Sequence, residues 1–319
     1  MTAALRLIET PYADEAARFA AMEARDREAE GRFWVCVKTT GIFCLPTCAA
    51  RPPLKKNVVF ARSRAEAMAM GYRPCKRCRP ERFVAASLAE RIDGVDWARA
   101  GAGLDECGWA SLGALLSFEE CNAMIAAYTD DSIYRSTVTM SRHGFGSGEY
   151  RYYAEPLPCV LAGLRERLYP PLATIASRWS AALGQRPYPA THSAYRRICA
   201  DAGQTQPTPL ILKYGPGDYN RLHQDLYGGE AFPIQAAFLL SEPGRDFEGG
   251  EFILTEQRPR MQSRATVAPL KKGEAIAFAV NDRPLRGARG TYRAKMRHGV
   301  SALRAGARFA AGIIFHDAE

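Results

Sequence analysis

The chain has 319 residues, 47% of them hydrophobic and 24% charged, with a formal net charge of +9. That balance excludes a disordered or low-complexity protein and gives room for one small and one ordinary domain. No run reaches the roughly 18 apolar residues needed to cross a bilayer, and the first 30 residues carry no apolar secretion signal. The nine cysteines are therefore expected to be reduced and the protein cytoplasmic, with no membrane partner.

Residues 1–30 read as an N-terminal extension, and residues 31–82 as a small module built around cysteine. Cys44 and Cys48 form a C-x3-C pair, and Cys75 and Cys78 a C-x2-C pair. Each pair presents two thiolates from a tight turn, the arrangement of a tetrahedral zinc site. The alternating run Phe33 to Val37 and the segment Asn57 to Phe60 read as strands, and Ser63 with Glu66 caps a short helix that ends before Gly71. From Gly31 to Pro80 eleven Lys and Arg residues face one acid, Glu66. So one-sided a charge attracts a polyanion, with nucleic acid the natural candidate, and also offsets the negative charge of a zinc tetrathiolate.

Residues 83–108, rich in Ala, Gly and charge, read as a linker, and a second domain spans 109–319. It opens with helical signals: a Ser117/Glu120 capping box, then amphipathic stretches from Leu157 to Leu168 and from Leu172 to Leu183, divided by Pro170 and Pro171. After Pro207 come short apolar runs at Leu210–Leu212, Ile234–Leu240, Phe252–Leu254, Ala275–Val280 and Phe309–Phe315. Helices first and strands later indicate an α+β chain whose second domain is a β-barrel or sandwich with a helical buttress.

Within the strands, His223 and Asp225 stand two residues apart and so share one face of an extended segment. With the distant His298 they make the two-histidine, one-carboxylate set that holds non-haem Fe(II) and leaves positions open for a cosubstrate and O2. A cosubstrate of the 2-oxoglutarate type needs a cation for its far carboxylate. Arg308 is placed to supply it: residues 303–307 read as a turn, which starts Arg308 on a strand returning beside the one that carries His298. Arg304 is the competing cation. The glycine, arginine and aromatic mixture of residues 142–152 reads either as a loop that stacks bases or as a plain hairpin. Cys36, Cys107, Cys121, Cys159 and Cys199 read as buried apolar residues, and His143, His192 and His316 have no assigned role.

Residues 31–80 resemble the N-terminal zinc domain of the Ada methylphosphotriester-repair family, through Lys38-Thr39-Thr40-Gly41-Ile42-Phe43-Cys44, Pro46-Thr47-Cys48 and Gly71-Tyr72-Arg73-Pro74-Cys75-Lys76-Arg77-Cys78-Arg79-Pro80. The resemblance implies that Cys44 is both zinc ligand and methyl acceptor, and that Arg51 and Arg73 contact the DNA backbone. Residues 109–319 are similar to 2-oxoglutarate/Fe(II) oxygenases. Tyr214 to Asp225 resembles the AlkB type, in which a tyrosine matching Tyr214 contacts the cosubstrate. The single Arg308 is closer to the prolyl-hydroxylase-like arrangement. Glu242 to Phe252 and Gly312 to Asp317 resemble bacterial oxygenases assigned to damaged nucleic acid.

The resemblance implies a double-stranded β-helix, or jelly roll, behind the four-cysteine module, with Zn2+, Fe2+ and 2-oxoglutarate as cofactors. It also implies a single-turnover methyl transfer from DNA phosphotriesters to Cys44, joined to oxidative demethylation of alkylated bases. The alternative is that the zinc module tethers to DNA an oxygenase acting on a protein or a small molecule.

Overall fold

The computed structural model describes residue 12 and residues 14–82, 87–288 and 290–319. Contacts divide the chain into two units: Met1–Ala85 with Ser117–Asn122 and Pro243–Arg245, and Ala86–Leu116 with Ala123–Glu242 and Asp246–Glu319. Residues 83–86 of the expected linker lie outside the described residues.

The first unit holds helix α1 (Glu15–Ala24), strands β1 (Trp34–Val37), β2 (Ile42–Cys44) and β3 (Val58–Ala61), helix α2 (Arg64–Ala69) and strand β4 (Arg73–Pro74). The sheet runs β3-β1-β2-β4, antiparallel except for the parallel β2–β4 pair. Period-two alternation along β1 gives the sheet two apolar faces. Phe33 and Val35 pack with Phe19, Met22 and Val58, while Trp34 and Cys36 pack with Phe43, Ala61 and Ala67. Residues 15–24, expected to belong to an extension, thus supply part of this unit's core, because Phe19, Ala21 and Met22 form a buried apolar stripe on the helix. Ser63 caps α2 by accepting from the Glu66 N–H at 3.0 Å, as its sequence implied.

The second unit begins with helices α3 (Leu88–Asp93) and α4 (Trp97–Cys107), where a linker was expected. Asp96 caps α4 and Gly108 ends it at φ +77°, and the buried stripe of Ala100, Gly101 and Leu104 explains why a Gly-containing segment is helical. Strand β5 (Trp109–Ala114) and helices α5 (Phe118–Ala126), whose residues up to Asn122 group with the first unit, α6 (Cys159–Ala182) and α7 (His192–Asp201) follow, with β6 (Tyr134–Thr139), β7 (Gly146–Ser147) and β8 (Glu149–Tyr153) between α5 and α6. Helix α6 continues through Pro170 and Pro171, correcting the expected break. Two lost N–H donors are outweighed by burial of Leu161, Leu164, Leu168, Tyr169, Leu172, Ile175 and Trp179 along one helix.

The remaining strands are β9 (Leu210–Tyr214), β10 (Tyr219–His223), β11 (Ile234–Leu239), β12 (Phe247–Gly249), β13 (Phe252–Gln257), β14 (Arg264–Ala268), β15 (Glu274–Ala279), β16 (Asp282–Gly287), β17 (Gly290–Val300), β18 (Leu303–Gly306) and β19 (Arg308–Ile313). They form a seven-stranded sheet, β5-β15-β11-β19-β9-β8-β6, and a six-stranded sheet, β14-β13-β17-β10-β7 with β16 on β17, all antiparallel. Tyr214, Leu239, Ile276 and Phe278 from the first sheet share one core with Phe252, Leu254 and Val300 from the second. This is the antiparallel sandwich with a helical buttress expected of the oxygenase fold.

Two details depart from expectation. Residues 303–306 are a strand paired with β12 rather than a turn. Strand β19 lies between β11 and β9 in the seven-stranded sheet and not beside β17. The chain crosses from one sheet to the other at this point, so Arg308 enters the site from the layer opposite His298.

Candidate metal centres

Parallel pairing of β2 with β4 assembles the cysteine cluster. Cys44 ends β2, and the Cys75 N–H donates to Phe43 O at 3.0 Å. The four Sγ atoms of Cys44, Cys48, Cys75 and Cys78 all lie within 4.8 Å of one another. The Leu45 N–H points at Cys78 Sγ and the Arg77 N–H at Cys75 Sγ, both at 3.4 Å. A hydrogen bond from Cys44 draws the Cys78 thiol down to about 6, while that bond, with burial, drives Cys44 far up. Burial pushes Cys48 to about 11. Four crowded sulfurs therefore cannot all ionise without a cation, and an all-sulfur set fits a tetrahedral divalent metal. Arg51 and Arg73 are exposed and have no side-chain partner among the described residues. Of the remaining cysteines, Cys36, Cys121 and Cys199 are buried as expected, Cys107 is half-buried, and Cys159 is exposed at the start of α6, where its side chain escapes the core.

The second cluster sits where β10 and β17 pair. Asn220 lies opposite Val300 and His223 opposite His298, so three steps on β10 match two on β17. This bulge leaves Arg221 and Leu222 exposed and turns both Asn220 and His223 toward the interior. It requires Gly299, because a Cβ there would stand 2.7 Å from Asn220 O.

His223 Nε2 is 3.4 Å from Asp225 Oδ1, His298 Nε2 is 3.3 Å from Asp225 Oδ2, and the two rings are 4.2 Å apart. His223 Nδ1 donates to Arg221 O at 2.7 Å, which leaves the Nε2 lone pair free to ligate. Burial opposes the charge on Asp225, but the two histidines outweigh it and hold the carboxyl well below its usual range. Burial lowers His223, but Asp225 together with the backbone at Arg221 and His298 leaves it raised, whereas burial and the neighbouring His223 leave His298 lowered. One carboxylate facing two imidazole nitrogens from a single side fits a divalent cation bound by a facial triad.

These three residues line a cavity of about 200 Å³ together with Tyr214, Asn220 and Arg308. Arg308 opens β19 directly opposite Tyr214 on β9. It is 3% exposed, and its Nε has no hydrogen-bond partner among the described residues. Burial lowers its pKa, with Tyr214 and Glu251 partly compensating. A buried guanidinium without a carboxylate partner fits an acidic ligand. Arg304 instead lies 67% exposed, 3.8 Å from Glu251, outside this cavity. Tyr214 is fully buried, and burial pushes its phenol up to about 12; Asn220 Nδ2 donates to its hydroxyl at 3.5 Å.

Sequence reasoning missed Asn220, which faces the cavity only because of the bulge, and Gly250, whose missing Cβ makes room for Arg308. The adjacent pair Gly249-Gly250 was the available signal. In the segment 142–152, Phe145 lines the cavity while 47% exposed and stacks on His143 at 5.4 Å and 22°. His192 and His316 are buried structural residues: His192 Nε2 meets Phe315 O at 2.9 Å, and His316 Nδ1 accepts from the Phe232 N–H at 3.2 Å.

Residues 148–318, more than half of the chain, match the family model described as an oxygenase catalysing oxidative methylation of damaged DNA. The chain belongs to this oxygenase family. Residues 17–81 match the metal-binding domain of Ada. An uncharacterized protein of Mycobacterium tuberculosis is 49% identical over 164 residues, covering 51% of this chain and 70% of that protein. The bifunctional transcriptional activator/DNA repair enzyme Ada of Escherichia coli is 47% identical over 78 residues, 24% of this chain and 22% of Ada. Among solved structures, a Pseudomonas putida prolyl-4-hydroxylase aligns with a TM-score of 0.40 at 14% identity, over 69% of this chain and 98% of that one. The oxygenase thus carries an Ada-type metal-binding domain ahead of it, a pairing that supports a role in DNA repair. No helix among the described residues is long and apolar enough to cross a membrane.

Proposed function

We propose that this oxygenase repairs alkylated DNA by two chemistries, one in each module. In residues 31–82, Cys44, Cys48, Cys75 and Cys78 would hold Zn2+, which keeps the sulfurs ionised. The Cys44 sulfur would attack the methyl carbon of a phosphotriester; the C–S bond forms as the C–O bond breaks, and the phosphodiester anion leaves. Arg51 and Arg73 would neutralise flanking phosphates. A thioether is a poor leaving group, so each chain acts once.

In residues 109–319, His223, Asp225 and His298 would hold Fe2+, and Arg308 would grip the far carboxylate of 2-oxoglutarate, with Tyr214 beside it. Iron with 2-oxoglutarate and O2 supplies oxidation of a C–H bond, giving succinate and CO2. The chain's own contribution is to orient the cosubstrate from one sheet and the metal from the other, and to keep water out with aromatic walls. An N-methyl group on a base becomes N-hydroxymethyl and is lost as formaldehyde. The base must be unstacked or single-stranded to reach a buried cavity.

The observation that carries this reading is the convergence of His223, Asp225 and His298 in one cavity with buried Arg308, whose Nε has no hydrogen-bond partner among the described residues. The test is an assay of N-methylated single-stranded oligonucleotides with Fe2+ and 2-oxoglutarate. Formaldehyde and succinate in equal amounts are expected, and an Asp225→Ala variant should release neither. Succinate without formaldehyde would sink demethylation and favour a protein or small-molecule substrate.

A further inference from the structure

His223 and His298 stand on strands, so ladder hydrogen bonds aim their side chains. Asp225 does not: residues 224–233 run outside any regular element, and a carboxylate torsion is broad and easily turned. Something else must hold it against the two imidazoles. The Tyr227 hydroxyl donates to Asp225 Oδ1 at 2.8 Å, the same oxygen that faces His223, and leaves Oδ2 to face His298.

Tyr227 is itself fixed from two directions. Its ring meets Tyr152 edge-on at 6.4 Å and 87°, and lies 5.9 Å from the ring of His316, which is fully buried. Its carbonyl accepts from Gln204 Nε2 at 2.8 Å; the same amide donates to Glu230 O at 2.9 Å, while Gln204 Oε1 accepts from the Glu230 N–H at 2.7 Å. Gln204 is completely buried, and Gly228, at φ +89°, is needed beside it, because a Cβ there would lie 2.5 Å from Gln204 Cδ. The loop that carries the carboxylate is therefore stitched at its backbone by Gln204 and at its side chain by Tyr227.

We propose that Tyr227 is a positioning residue for the metal centre: its hydroxyl, backed by Gln204, Tyr152 and His316, sets the Asp225 carboxylate in the orientation the metal needs. The proposal rests on the reading of His223, Asp225 and His298 as the metal triad. Losing one such supporting hydrogen bond costs about 10- to 100-fold in metal affinity.

The test is Mn(II) titration of the full, zinc-loaded chain followed by electron paramagnetic resonance; Mn(II) prefers oxygen and nitrogen donors over the cysteine cluster. Tyr227→Phe removes a single oxygen and keeps the ring contacts. Its Mn(II) affinity should fall about 10- to 100-fold with an altered spectrum of the bound ion, while the Tm of the metal-free triad site stays within error of the parent. Mn(II) affinity within about two-fold of the parent, or a loss matched by a lower Tm, overturns the proposal. Asp225→Ala separates the two readings: if that variant binds Mn(II) like the parent, the triad fails, whatever Tyr227 does.

Discussion

Gly250→Ala adds one methyl group where the backbone passes beneath Arg308. Gly250 has φ +61°, and a Cβ there would stand 2.7 Å from Leu303 Cδ1 and 2.9 Å from Arg308 Cδ. The left-handed conformation alone costs alanine about 1–2 kcal/mol, which in a unit of this size lowers the Tm by roughly 2–8 °C. Leu303 is 2% exposed within the sandwich core, so the contact is relieved by the Arg308 stem, whose far end faces the cavity. On the proposed reading a displaced guanidinium would give up at least one charged hydrogen bond to the cosubstrate carboxylate, worth about 1.5–3 kcal/mol, or roughly 10- to 150-fold in KM for 2-oxoglutarate. Succinate formation at varied 2-oxoglutarate reads that change, and Mn(II) titration in parallel should find metal affinity untouched, because the atoms nearest the added methyl belong to Leu303 and Arg308 and to none of the three ligands. A KM within about two-fold of the parent would refute the reasoning, as would parallel losses of metal and cosubstrate affinity.

Cys44→Ser should gain no methyl adduct by mass spectrometry after incubation with methylphosphotriester DNA, whereas the parent chain gains one; a parent adduct on another cysteine would move the acceptor. Phe145→Ala should raise KM for a methylated oligonucleotide roughly 5- to 100-fold, the value of one base stack, and leave uncoupled 2-oxoglutarate turnover unchanged; an unchanged KM removes Phe145 from substrate binding. Burial pulls His192 and His316 down to about 4 from an ordinary 6.5. Between those values the unfolded chain takes up protons that the folded chain refuses, so stability falls as pH drops from 6.5 toward 4 and the loss levels off below, by at most about 1.4 kcal/mol per pH unit for each histidine. His192→Asn should flatten the denaturation midpoint against pH over that window, and an unaltered slope would show that His192 is not carrying the effect.

Most local signals were legible in the sequence, and of the long-range ones only the joining of distant His298 to His223 and Asp225 could be read, from ligand chemistry rather than from pattern. The two cysteine pairs, the alternation at Phe33 to Val37 and the caps at Ser63 and Ser117 each depend on residues within a few positions, and each forms as read. Helix α4 hid behind its glycines although Asp96 and Gly108 marked both ends. Helix α6 hid behind two prolines, because the burial that overrides them is tertiary. The partner strands of Arg308 could not be read at all: no local pattern tells β19 to join β9 and β11 rather than β17, since that follows from how the chain crosses between sheets. Tyr227 went unread for a related reason, since a tyrosine two residues past a carboxylate has meaning only once the loop is folded back by Gln204.

The crossing has a consequence for the site. His223 and His298 belong to the six-stranded sheet, whereas Tyr214 and Arg308 face one another across a ladder of the seven-stranded sheet. Sheets packed face to face stand about 10 Å apart, so the layer spacing itself would separate the proposed metal, held largely by one sheet, from the Arg308 guanidinium carried by the other. On the proposed reading, a dicarboxylate held at both ends would bridge the two layers across the cavity that His223, Asp225, His298 and Arg308 line together. Phe252 and Phe278, which pack against the His298 ring, and Leu254, which shares their core cluster, therefore act as the spacer. If the site takes a cosubstrate as proposed, the length it accepts would be set by the hydrophobic core, and Arg308 would lose that registration if it lay beside His298 on the same sheet.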